Sequence, residues 1–139
     1  MTILDTNVVS EIMKPEPSSA VIAWASGQMR DELFTTAITA AEILYGIEVL
    51  PRGKRRDQLL HQAEGTFRED LGGHVLSFDE RAAHEYASIA SERRRRGRPI
   101  AFADGQIAAI ARVHEATLAT RNTGDFEGCG VRLVNPWER

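Results

Sequence analysis

Four acidic residues stand at positions where chemistry is possible: Asp5, Glu42, Asp104 and Asp125. Carboxylates gathered in one place repel. Two unit charges 4 Å apart cost about 4 kcal/mol at an effective dielectric of about 20. A hard divalent cation turns that repulsion into attraction, and oxygen-only ligands suit Mg²⁺ or Mn²⁺ rather than Zn²⁺. Such an ion keeps several waters, one of which can attack phosphorus, so the expected chemistry is hydrolysis of a phosphodiester bond. His61, His74, His84 and His114 show no zinc-enzyme spacing, and Cys129 has no second cysteine to join it.

Each acid also has a plainer explanation. Asp5 follows the apolar run Thr2-Ile3-Leu4 and can simply close the turn Asp5-Thr6-Asn7. Asp104 can be an ordinary acid in a helical first turn, and Asp125 lies in common turn composition, Thr123-Gly124-Asp125. Glu42 sits in a segment that reads as a helix apolar on nearly every side, so its carboxylate is expected to be poorly solvated. No lysine or arginine occurs between Asp31 and Pro51 to pair with it locally. Taken together the four are more informative than any one of them, provided that the fold brings them to one edge.

The elements that must do this alternate in type. Strands are expected at Thr2–Leu4, Leu33–Thr36, Val75–Leu76, Thr117–Thr120 and Val131–Val134. Helices are expected after Ser18 or Ser19, from Thr39 to about Leu50, from Gly53 to Gly72-Gly73, from the capping box Ser77-Phe78-Asp79-Glu80 to the arginine run, and from Asp104. Gly97 and Pro99 break the helix that carries the arginines. Strands alternating with helices imply an α/β fold of three layers, with a central parallel sheet of about five strands between helices. Right-handed crossovers place all strand C-termini on one edge, where ligands bind.

Length and composition set limits. The 139 residues suit a single domain, 1–139, and 42% hydrophobic with 27% charged residues is ordinary globular composition. A net charge of −3 excludes a uniformly basic nucleic-acid binder. Two basic groups depart from that average: Arg52, Lys54, Arg55 and Arg56, and Arg93, Arg94, Arg95, Arg96 and Arg98. They are either phosphate contacts, solvated helix ends or interface residues. The lone Cys129, in Gly128-Cys129-Gly130, reads as structural and fits a reducing compartment. No signal peptide and no apolar run near the ~18 residues of a membrane span is visible, so a cytoplasmic protein without a membrane anchor is expected.

At the acids the chain resembles a known family. Leu4-Asp5-Thr6-Asn7, Thr39-Ala40-Ala41-Glu42-Ile43, Ala103-Asp104-Gly105-Gln106-Ile107-Ala108-Ala109 and Ala119-Thr120-Arg121-Asn122-Thr123-Gly124-Asp125-Phe126 are similar, in order and spacing, to the motifs of PIN-domain ribonucleases. The closing Asn135-Pro136-Trp137 resembles the FitB branch of the VapC toxins. The resemblance implies a PIN-like fold and an Mg²⁺- or Mn²⁺-dependent endoribonuclease acting as the toxin of a toxin–antitoxin pair. It implies that Asp5, Glu42 and Asp104 bind the metal, with Thr6 and Asn122 as polar support near metal or RNA. It also implies a homodimer and a VapB-like antitoxin partner. Many relatives carry an acid where this chain has Asn122, whereas here the last acid is Asp125, which leaves the second metal position open. Two other functions are compatible with these residues. One is a phosphatase or phosphotransferase with Asp5 as nucleophile, although its usual second aspartate is replaced by Asn7. The other is a non-catalytic partner of a DNA-binding antitoxin.

Overall fold

A computed structural model describes residues 1–138. The strands are β1 (Thr2–Leu4), β2 (Leu33–Thr36), β3 (Val75–Leu76), β4 (Thr117–Ala119) and β5 (Arg132–Val134). The helices are α1 (Thr6–Ile12), α2 (Ser19–Ser26), α3 (Ala37–Glu48), α4 (Lys54–Gly65), α5 (Glu80–Arg95) and α6 (Phe102–Val113). Every neighbouring strand pair is parallel, in the order β3-β2-β1-β4-β5. This is the expected five-stranded α/β sheet. The order reverses between β1 and β4, which opens a crevice at the strand C-termini.

Strand alternation distributes the core to both faces. Ile3 and Leu118, paired in register, pack with Ile89, Ile107 and Phe126 on the side of α5 and α6. Leu4 and Ala119, one residue on, pack with Val8, Val9, Ile43 and Phe67 on the side of α1, α3 and α4. Burial of these side chains fixes the register, because a one-residue slip would invert both faces. Among the described residues no helix is long and apolar enough to cross a membrane.

Four local expectations are corrected. Asp5-Thr6-Asn7 is not a turn: Asp5 caps α1, with its side chain accepting the Thr6 N–H. The short helix hides in the sequence because Val8, Val9 and Ile12 are β-branched and favour strands. Helix α3 begins at Ala37 rather than Thr39, since Thr36 is its cap and bonds the Thr39 N–H at 3.1 Å. Helix α5 is capped by Asp79, which accepts from the Ala82 N–H, and not by Ser77. Finally, α3 is not buried all round. Its inner stripe is Thr39, Ile43 and Ile47, while Tyr45 is 70% and Val49 62% exposed.

Candidate active site

Three helices begin at the strand C-terminal edge, and each brings one acid there. The β1–α1 junction supplies Asp5, the second turn of α3 supplies Glu42, and the first turn of α6 supplies Asp104. Asp125 comes from the short helical turn Thr123–Phe126 that follows β4.

Asp5 is buried and held at both oxygens. Its Oδ1 accepts the Thr6 N–H at 2.8 Å, and its Oδ2 accepts the Thr120 hydroxyl at 2.7 Å and the Asn7 amide at 3.4 Å. The Thr120 hydroxyl in turn accepts from the Asn122 N–H at 3.1 Å and from Asn7 Nδ2 at 3.3 Å. Asn7 Oδ1 accepts the Arg121 N–H at 3.2 Å. One hydroxyl ties Glu42 to this group: Thr6 Oγ1 donates to Glu42 Oε1 at 2.8 Å and lies 3.1 Å from Thr39 Oγ1. A hydroxyl has one proton, so with Glu42 taking it, Thr39 is the donor to Thr6. Asp104 and Asp125 line a cavity of about 270 Å³ with Arg93, Pro99, Ile100 and Ala101.

The carboxylates feel one another. Burial pushes the Asp5 carboxyl above the ordinary aspartate range, against the hydrogen bonds from Thr120 and Thr6, and the charges of Glu42 and Asp125 push it the same way. The Asp104 carboxyl is raised to about 6, first by burial and then by the charges of Asp5, Asp125 and Glu42, with Arg93 opposing. This is a concentrated negative field that a cation would relieve. Among the described residues no three of His, Cys, Asp and Glu close into a ready-made metal cage. A hard divalent cation takes oxygen ligands, often one or two carboxylates with waters completing its shell. The donor set, all oxygen, fits such an ion.

Several sequence readings change here. Glu42 is exposed, not desolvated, because it stands on the outer side of α3 and its partner is a threonine hydroxyl rather than a cation. Arg93 is buried and faces inward, so it is not available to RNA. Its Nη1 donates to the carbonyls of Asp125 (2.9 Å) and Glu127 (3.1 Å), and its Nε to the carbonyl of Arg98 (2.7 Å). Arg95 and Arg96 pair with Glu92, and Arg98 pairs with Glu127. Arg94 is exposed, as are Arg52, Lys54 and Arg55, while Arg56 pairs with Glu48. Thr6 sits between Asp5 and Glu42, bonding the first through its N–H and the second through its hydroxyl. Asn122 contributes through its backbone N–H to Thr120. Sequence reasoning gave no role to Thr120, Thr39 or Asn7. Thr120 and Thr39 are fully buried threonines, and their place inside the acid motifs was the only available signal.

Comparison with known proteins gives a consistent picture. Residues 2–128 match the family model described as PIN domain. The chain is 44% identical to VapC ribonuclease Y4jK of Sinorhizobium fredii over 138 residues, covering 99% of each. It is 41% identical to Toxin FitB of Neisseria gonorrhoeae over 137 residues, again covering 99% of each. The crystal structure of FitAcB from Neisseria gonorrhoeae superposes with a TM-score of 0.92 at 40% identity, covering 100% of both chains.

Proposed function

The chain belongs to the PIN-domain family, and on that premise we propose that it is a divalent-metal-dependent endoribonuclease, Mg²⁺ or Mn²⁺ being the ion, that acts as the toxin of a toxin–antitoxin pair. One observation carries the reading: the fold directs Asp5, Glu42, Asp104 and Asp125 to one sheet edge, near enough for burial and their mutual charge to push the Asp5 and Asp104 carboxyls up. Relatives named as a VapC ribonuclease and as a toxin support both halves of it.

Asp5 and Asp104 would hold the ion, with Glu42 and Asp125 adding negative charge around it. When bound, the ion acidifies an attacking water and neutralises charge building on the phosphate. The chain's own residues do the rest. Thr120, Thr6 and Asn7 fix the Asp5 oxygens, so that carboxylate is oriented before any ligand binds. Thr6 does the same for Glu42. Burial and the neighbouring acids raise the Asp104 carboxyl to about 6, so a cation held beside it would favour its ionised form.

An acidic site repels RNA, so cations must draw it in. A groove of about 400 Å³ runs from Thr6 and Glu42 past Lys14 to Arg55. Arg55, with Arg52 and Lys54 beside it, is the exposed basic group best set to take backbone phosphates there, and Arg94 is a further candidate. Phosphate contacts give affinity without choosing a sequence. A toxin acting on cellular RNA works in the cytoplasm and needs a partner to neutralise it. The exposed Tyr45 and Val49 on α3 offer apolar surface to an antitoxin of the VapB kind or to a second copy in a homodimer.

The test is cleavage of a single-stranded RNA with and without EDTA. Asp5→Asn and Asp104→Asn are each expected to lower the rate about 100-fold or more while circular dichroism shows a folded chain. Full cleavage by either folded variant, or by the native chain in EDTA, would remove the reading.

A further inference from the structure

Helix α5 buries one side of itself at Ala82, Ile89 and Arg93, spaced seven and then four residues apart. The last of these positions calls for an apolar residue, yet it holds an arginine only 6% exposed. A charge there needs compensation. The neighbouring Arg95, Arg96 and Arg98 each have a carboxylate partner, whereas among the described residues Arg93 has none. Its guanidinium is satisfied by main-chain carbonyls from two separate segments. Nε bonds the carbonyl of Arg98, in the connection that leads from α5 into α6 and so to Asp104. Nη1 bonds the carbonyls of Asp125 and Glu127, in the turn after β4. The same atom lies 3.5 Å from the buried Cys129 Sγ. The side chain also forms part of the wall of the cavity that Asp104 and Asp125 share.

We infer that Arg93 is a positioning residue that clamps the Asp104-bearing and Asp125-bearing segments against each other and thereby sets the spacing of the metal site. This rests on the metal-nuclease reading above. The planar guanidinium suits the task because it donates in fixed directions to acceptors on both segments, which a lysine ammonium does not do. The clamp has an outer strap. Arg98 Nη1 meets Glu127 Oε2 at 3.3 Å and Nη2 meets the Gly124 carbonyl at 3.5 Å.

The experiment measures Mn²⁺ affinity by calorimetry on full-length protein, together with kcat and KM for a short RNA. Arg93→Lys is expected to weaken Mn²⁺ binding and to lower kcat, each by about tenfold or more, with KM for RNA unchanged. Native Mn²⁺ affinity and kcat in a folded Arg93→Lys chain, with only the melting temperature lowered, would make the residue a plain stabiliser and overturn the inference. A raised KM with native kcat would overturn it too, by making Arg93 an RNA contact. Should Arg93→Lys fail to fold, Arg98→Gln loosens the same strap from the surface. A several-fold loss of Mn²⁺ affinity is then expected, and an unchanged affinity overturns the inference. Asp5→Asn run alongside separates the two levels. If it keeps native Mn²⁺ affinity, the metal site itself is misassigned. If it loses that affinity while both arginine variants keep it, only the clamp is wrong.

Discussion

At Asp5 both carboxylate oxygens are engaged before any ligand arrives, by the Thr6 N–H on one side and the Thr120 hydroxyl on the other. The Asp104 carboxyl is instead raised to about 6, first by burial and then by the charges of Asp5, Asp125 and Glu42, which Arg93 only partly offsets. That shift has a consequence for stability. A folded-state value above the ordinary 3.8 means that the folded chain binds this proton more tightly than the unfolded chain does. The stabilisation is fully present below about pH 4 and is lost as pH rises through about 6. Metal-free Asp104→Asn is therefore expected to be more stable than the native chain at pH 7, by about 1–2 kcal/mol after allowance for partial exposure. The advantage shrinks toward zero at pH 4. Thermal melts in EDTA across that range measure it, and a constant difference between the two proteins would contradict the electrostatic account. The candidate acids stood out in the sequence, Asp5, Asp104 and Asp125 beside a strand end or helix start and Glu42 as a carboxylate in an otherwise apolar helix. The hydroxyls that orient them did not, since a buried threonine in a motif looks like any other buried threonine until its partner, more than 30 residues away, is known.

Among the elements, α6 has the narrowest tolerance. It carries Asp104 in its first turn and buries Ile107 through Ala111 against the sheet and α5. Gly105 makes the approach to α5 possible: a Cβ there would stand 2.7 Å from Tyr86 Cε1. The half-buried tyrosine ring, packed edge-on against Phe78 and the exposed Phe102, has to shift and give up part of that packing. Gly105→Ala, in spite of alanine's better helix propensity, is expected to destabilise the fold by about 1–3 kcal/mol. Because Asp104 is the adjacent residue, the same change is expected to lower cleavage. Chemical denaturation and RNA turnover check the two effects, and an Ala variant as stable as the native chain would show that α5 and α6 separate easily. Helices α3 and α1 teach the opposite lesson about legibility. The apolar sequence of α3 implies burial on all sides, but the sheet covers only one stripe, leaving Tyr45 and Val49 outside. For α1, β-branched residues favour a strand, and Asp5 capping together with the packing of Val8 and Val9 decides for a helix.

For the whole molecule, a bound cation and the folded state are thermodynamically linked. A ligand that binds only the folded chain stabilises it by about 2.7 kcal/mol at a concentration 100 times its Kd. Mn²⁺ is therefore expected to raise the melting temperature of the native chain by several degrees and to leave that of Asp5→Asn unchanged. Equal shifts in both proteins would place the ion elsewhere. The net charge of −3 coexists with RNA binding because the cations are segregated. The acids lie at the strand C-terminal edge, and the exposed Arg55 lines the same groove as Glu42, with the exposed Arg52 and Lys54 near it in the chain.

Local chemistry and periodicity in the sequence were enough to determine the alternation of strands and helices and the parallel sheet, and to single out the four acids as candidates, because each depends on residue type within a few positions. The tertiary structure decided what depends on distant partners. It turned Arg93 inward to hold Asp125 and Glu127, exposed Glu42, and joined Asp5 to Thr120 across 115 positions of chain. The physical reason is that a buried charge or hydroxyl takes whichever partner the packed chain brings within hydrogen-bonding distance, and no local pattern encodes that choice.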